Sequence, residues 1–214
     1  MEPFIQVIKP GDAVIEVKRS KFIGAVRHVT SVEEALLFLD SERKKYHDAK
    51  HHCSAYIIRS GSGQPDVIHS SDDGEPSGTA GKPILEVIEK AGLKDVVCVV
   101  TRYFGGILLG TGGLVRAYTD AAKAAVEAAE KAEMHLVQEM ELIFDYTHTG
   151  RVDNIINGEG CSRTDAAYTD VVRYVITCDP GRADRLIQTL NEATAGSVKT
   201  EKTRQIYSFS REMR

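Results

Sequence analysis

Two loops concentrate the side chains that could do chemistry. The first, Ser70 to Pro83, sets Asp72, Asp73 and Glu75 beside Ser77, Thr79 and Lys82. The second, Thr101 to Gly113, carries Arg102, then Gly105, Gly106, Gly110, Gly112 and Gly113, with Arg116 just beyond. Glycine permits backbone angles closed to other residues. Each loop leads into an expected helix, whose first N–H groups are free to meet an anion. Arg102 and Arg116 are candidates to clamp a phosphate in bidentate fashion, with Lys82 adding charge. The spacing matches neither a Walker A loop nor a dinucleotide fingerprint. The same glycines also suit a close-packed turn with no ligand.

Asp72, Asp73 and Glu75 offer oxygen ligands to a divalent cation or a general base. They equally suit a turn that caps the next helix, with Ser77 or Thr79 contacting backbone. Their spacing fits no defined calcium loop, so no metal is assigned and no cofactor is expected. His47 and His51 have the H-x-x-x-H spacing of a zinc protease, but Asp48 stands where the glutamate is required. A strand is expected from Cys53, so the helix should end before His51. His51 and His52 then flank the start of that strand, with one of them facing the acidic loop. Neither a G-x-S-x-G elbow nor a Ser/His/Asp set in context is present.

The elements that must position these loops follow from the patterning. Val14–Val17 and Lys21–Val26 read as strands joined at Lys18-Arg19-Ser20. Ser31 and Glu34 form an expected capping box for a helix with Ala35, Leu36, Leu39 and Tyr46 as its stripe. Cys53–Ile58 and Asp66–His69 form a hairpin about Gly61-Ser62-Gly63. Pro83 opens a helix that stops at Gly92. Val96–Val100 is apolar without alternation, the pattern of a strand covered on both faces. A long alanine-rich helix follows, suited to lie close on a sheet. Strands at Leu136–Tyr146, Cys161–Thr164, Val171–Cys178 and Val198–Phe209, with helices at Gly150–Asn157 and Ala183–Leu190, give the order β-α-β-β-α-β, a split βαβ. The class is α+β, in two domains: 1–133, then a ferredoxin-like domain at 134–214.

A length of 214 residues, 42% hydrophobic and 27% charged, suits a globular protein. A net charge of −4 argues against coating nucleic acid by bulk attraction. Lys199, Lys202, Arg204, Arg211 and Arg214 cluster near the C-terminal end, as a solvated tail or a local basic patch. No signal peptide or bilayer-spanning stretch is evident. Cys53, Cys98, Cys161 and Cys178 form no C-x-x-C pair and are expected as free thiols.

Four segments resemble the IMPACT/YigZ family: Lys18-Arg19-Ser20-Lys21-Phe22-Ile23-Gly24, His51–Tyr56, Asp72–Pro83 and Arg102–Tyr118. The second domain is similar to that of bacterial YigZ-type members. The resemblance implies a ribosomal-protein-like β-α-β first domain, similar to domain IV of elongation factor G. It implies a second domain similar to domain V of that factor. Eukaryotic relatives act in translational control through protein contacts, and no catalytic residue carries over.

The expectation is a cytoplasmic, translation-associated regulatory or binding protein. It would contact RNA, the ribosome or a translation-related protein through the glycine-loop surface. The alternative is a hydrolase or other enzyme for a small phosphorylated or peptide-like substrate, with Asp72 or Asp73 as base or ligand and His51 as proton carrier. No membrane partner is expected, and the oligomeric state is not specified.

Overall fold

The computed structural model describes residues 3–61 and 64–209. The expected turn at 61–63 is only partly within that range, and Arg211 and Arg214 lie outside it. Contacts divide the chain into a unit of Phe4–Glu133 and a second beginning at Met134.

The N-terminal unit runs β1 (Phe4–Lys9), β2 (Gly11–Val17), β3 (Ser20–His28), α1 (Val32–Lys45), β4 (His51–Ile58), β5 (Val67–Ser71), α2 (Gly81–Lys90), β6 (Val96–Tyr103) and α3 (Thr111–Ala128). Its antiparallel sheet has the order β2-β3-β6-β4-β5. Central β6 is covered on both faces. Val96, Cys98 and Val100 pack with Ile84, Ile88 and Tyr118 of α2 and α3. Val97 and Val99 pack with Ala35 of α1 and with Tyr56. A run of apolar residues without alternation is what a strand between two apolar layers requires.

Small residues let α3 lie close on the sheet. A Cβ on Gly11 would stand 2.1 Å from the Ala125 carbonyl oxygen, and one on Gly24 2.5 Å from that of Ala121. Ser31 caps α1, accepting from the Glu34 N–H at 3.2 Å. The Glu34 carboxylate accepts from the Thr30 N–H at 2.6 Å, one residue earlier than the capping box anticipates. The stripe of α1 also differs from expectation. Leu36 is 51% exposed, and Val32, Ala35, Phe38 and Leu39 face the sheet instead. The first strand, β1, was not anticipated; its Ile5 N–H donates to Gly92 O at 3.1 Å.

The C-terminal unit completes β7 (Glu130–Phe144), followed by α4 (Thr149–Gly158), β8 (Ser162–Tyr168), β9 (Val172–Cys178), α5 (Ala183–Thr194) and β10 (Lys199–Ser208). β7 carries β9 on one side and β10 on the other, and β8 pairs beyond β9, all antiparallel. That order, β10-β7-β9-β8, is the split βαβ arrangement read from the element sequence. α5 runs a full turn past the expected end at Leu190 and stops where Ala195 and Gly196 adopt positive φ. Of the basic cluster, Lys202 pairs with Asp184 at 2.6 Å and Arg204 with Glu139 at 3.1 Å.

Candidate functional site

The acidic loop builds itself from its own carboxylates. Asp72 accepts from the N–H groups of Gly78, Ala80 and Gly81 at 2.8, 2.9 and 2.8 Å, so it caps the start of α2. Burial pushes its pKa up, but these three donors outweigh burial and leave the carboxyl below its ordinary value. Asp73 pairs with Arg43 at 2.8 Å and accepts from the His52 N–H at 2.7 Å. Glu75 is buried, accepting from Arg102 at 2.6 Å and from the Tyr118 hydroxyl at 2.8 Å. Burial, with Cys53 and Glu75 as neighbours, pushes the Tyr118 phenol far above its ordinary pKa.

These partners correct the chemistry expected of the loop. Asp72, Asp73 and Glu75 turn to three different structural tasks. Among the described residues no group of three or more His, Cys, Asp or Glu converges as a metal site would. The capping role falls to Asp72 rather than to Ser77, which is exposed, or Thr79, whose hydroxyl donates to Pro76 O at 2.6 Å. Lys82 is exposed on α2. His51 faces the acidic loop: its Nδ1 lies 2.9 Å from Asp73 O. A carbonyl only accepts, so Nδ1 is the donor in that bond. α1 ends at Lys45 and His51 opens β4, so His47 and His51 share no helix face.

The second loop and the first enclose a pocket of about 650 Å³. Phe104, Leu108, Leu109 and Leu114 line it together with His51, Lys50, Arg102 and Glu75. The pocket is mainly apolar, and Arg102, expected to meet a phosphate, is paired with Glu75. Arg102 is 6% exposed, its guanidinium carbon is 5.5 Å from the ring centroids of both Phe22 and Phe104, and its Nε has no hydrogen-bond partner among the described residues. Arg116 is exposed on α3 and does not line the pocket. The two arginines are not a clamp.

The glycines divide by cause. A Cβ on Gly105 would stand 2.1 Å from the Arg19 carbonyl carbon, so that glycine is a packing necessity. Gly106 and Gly110 have φ of 84° and 72°, the left-handed region that favours glycine. Gly113 sits beside Leu109, a Cβ there meeting its side chain at 3.0 Å. Gly112 has neither reason: its φ is not positive and a Cβ there would meet nothing within 4 Å. Gly110 and Thr111, at the start of α3, line the pocket, and Gly110 supplies no side-chain cap. The N-terminal end of an 18-residue helix, where N–H groups lack intrahelical partners, thus borders the pocket.

Sequence reasoning placed a turn at Lys18-Arg19-Ser20 but not its backbone strain. Lys18 and Arg19, the two residues between β2 and β3, have φ of 47° and 65°. That is the type I′ turn, normally given to Asn-Gly or Gly-Gly. Two exposed cations there cost roughly 1–2 kcal/mol each in backbone energy, and such strain gathers at functional sites. The tip packs on Gly105, and Lys21 pairs across the sheet with Tyr103. A basic pair without glycine between two expected strands was the available signal.

A model of the Impact N-terminal domain matches residues 18–126, and one of a domain of unknown function (DUF1949) matches residues 142–197. The chain is 35% identical over 197 residues to the IMPACT family member YvyE of Bacillus subtilis (strain 168), covering 92% of this chain and 89% of that one. It is 46% identical over 121 residues to the IMPACT family member YigZ of Escherichia coli (strain K12), 55% of this chain and 57% of that one. A solved structure described as a crystal structure of a hypothetical protein matches with a TM-score of 0.61 at 30% identity, covering 95% of this chain and 98% of that one.

Proposed function

The chain belongs to the IMPACT family, and from that premise we propose a translation-associated regulatory protein that binds single-stranded RNA at the pocket before α3. The observation that carries this reading is the strained Lys18–Arg19 tip seated on Gly105, in the loop that leads to a helix start without a side-chain cap. A phosphate would meet the α3 N–H groups, where the helix dipole favours negative charge. Lys18, Arg19, Lys21 and Lys50 would screen neighbouring phosphates. An unstacked base would enter the apolar pocket against Phe104, which is 53% exposed. Single strands are commonly bound this way, with bases on aromatic faces and the backbone along cations. A local basic rim reconciles phosphate contact with the overall charge of −4.

The test is binding of the full chain to a single-stranded RNA oligonucleotide and to a duplex of the same sequence. Preference for the single strand is expected, with its binding weakened roughly 5- to 150-fold by Phe104→Ala as for loss of one stacked base. Equal binding to the duplex, or no effect of Phe104→Ala, overturns the base-in-pocket reading. Failure to bind any RNA while a translation protein binds with sensitivity to Arg19→Ala moves the partner to protein.

A further inference from the structure

We propose that Cys161 and Cys178 form a reversible disulfide when the protein meets peroxide, making the β8–β9 edge of the C-terminal unit an oxidation site. The two are 17 positions apart in sequence, and the register brings them together. Ser162 pairs with Thr177 across β8 and β9, so the next step along that ladder opposes Cys161 to Cys178. Directly opposed residues in an antiparallel pair have Cα atoms about 4.5–5.5 Å apart, within the range of about 4.4–6.8 Å that a disulfide spans. Both pack on the same cluster.

The two thiols differ in access and in acidity. Cys178 lines a pocket of about 560 Å³, together with Thr177, Ser162 and Gly160. Cys161 is half-buried and does not line it. The hydrogen bond from Cys161 lowers the pKa of Cys178, and the same bond, with burial, raises that of Cys161. Cys178 is therefore the more acidic of the two thiols, and Cys161 is its hydrogen-bond donor. Cys53 and Cys98 offer no such pair. Cys53 opposes Val100 and Cys98 opposes Ala55, and burial pushes both thiols up to about 12.

The chemistry balances with hydrogen peroxide as oxidant. The Cys178 thiolate attacks one peroxide oxygen, the O–O bond breaks, and hydroxide leaves to become water on taking a proton. Cys178 is then a sulfenic acid. The Cys161 sulfur attacks the Cys178 sulfur, the S–O bond breaks, and the hydroxyl departs as a second water with the Cys161 proton. Two thiols are oxidised and one peroxide is reduced to two waters.

The test is a thiol count on the full chain, denatured after peroxide and a quench, with peptide mapping under non-reducing conditions. Four thiols should fall to two, with one Cys161–Cys178 link, and dithiothreitol should restore all four. Four remaining thiols, or a link through Cys53 or Cys98, overturns the proposal. In Cys161→Ser, which removes the resolving thiol and keeps a hydrogen-bond donor beside Cys178, peroxide should leave Cys178 as a sulfenic acid that dimedone labels. Absence of that label contradicts the assigned order of attack.

Discussion

Gly105 rests on the backbone of Arg19, with room for no side chain: a Cβ there would lie 2.1 Å from the Arg19 carbonyl carbon and 2.4 Å from the Ser20 nitrogen. The Gly105 N–H also donates to Ser20 Oγ at 3.1 Å. Gly105→Ala must push the hairpin tip away from the loop. Overpacking of this kind costs roughly 1–3 kcal/mol, to be read from denaturant midpoints, and RNA affinity should fall with it. An alanine variant as stable as the parent would show that the tip is not fixed.

The buried pair of Arg102 and Glu75 sets a second expectation. Glu75→Ala leaves Arg102 charged and buried and removes the acceptor of Tyr118. Losing one partner of such a pair costs about 3–5 kcal/mol. Pairing Arg102→Met with Glu75→Gln removes both charges and keeps an acceptor for Tyr118, so most of the loss should return. A double variant no more stable than Glu75→Ala would mean that the ion pair is not what the site depends on.

Gly112 separates stability from binding. Its position is helical and open, so Gly112→Ala should stabilise the chain by about 0.4–1 kcal/mol. In the proposed binding mode the added methyl crowds a phosphate at the α3 amides, so affinity should fall. Gains in both, measured by thermal unfolding and RNA titration, would place the ligand elsewhere.

Asp72 gives a pH expectation. Its folded pKa lies below the ordinary value of 3.8. Its contribution is therefore complete above that value and is lost as pH falls through the lower, folded pKa. Asp72→Ala should cost about 0.5–2 kcal/mol at neutral pH, the range for a helix cap. The gap from the parent should narrow in acid below pH 3.8. A gap that holds constant to low pH would mean that the carboxylate charge plays no part.

Much of this architecture is legible in the chain, because Val96–Val100 of β6 is unbroken by polar residues and the order of elements after Leu136 fits one sheet topology. What was not legible depends on pairs distant in sequence. Arg102 reads as a free phosphate ligand until Glu75, 27 residues earlier, is found beside it. The hairpin at Lys18–Arg19 was seen, but its positive φ was not, since no glycine marks it. Leu36 reads as core because it neighbours Ala35 and Leu39 at helical spacing, yet the sheet meets the other side of α1. Cys161 and Cys178 match no motif, because strand register rather than spacing opposes them.

The most direct measurement is the salt dependence of single-stranded RNA binding, compared between the parent and Lys18→Ala/Arg19→Ala. Each phosphate neutralised on a single strand contributes about −0.7 to the slope of log affinity against log salt. Removing both tip cations should weaken binding at low salt and flatten the slope by about 1.4. Identical slopes and affinities would contradict the assignment of the hairpin tip and glycine loop to phosphate.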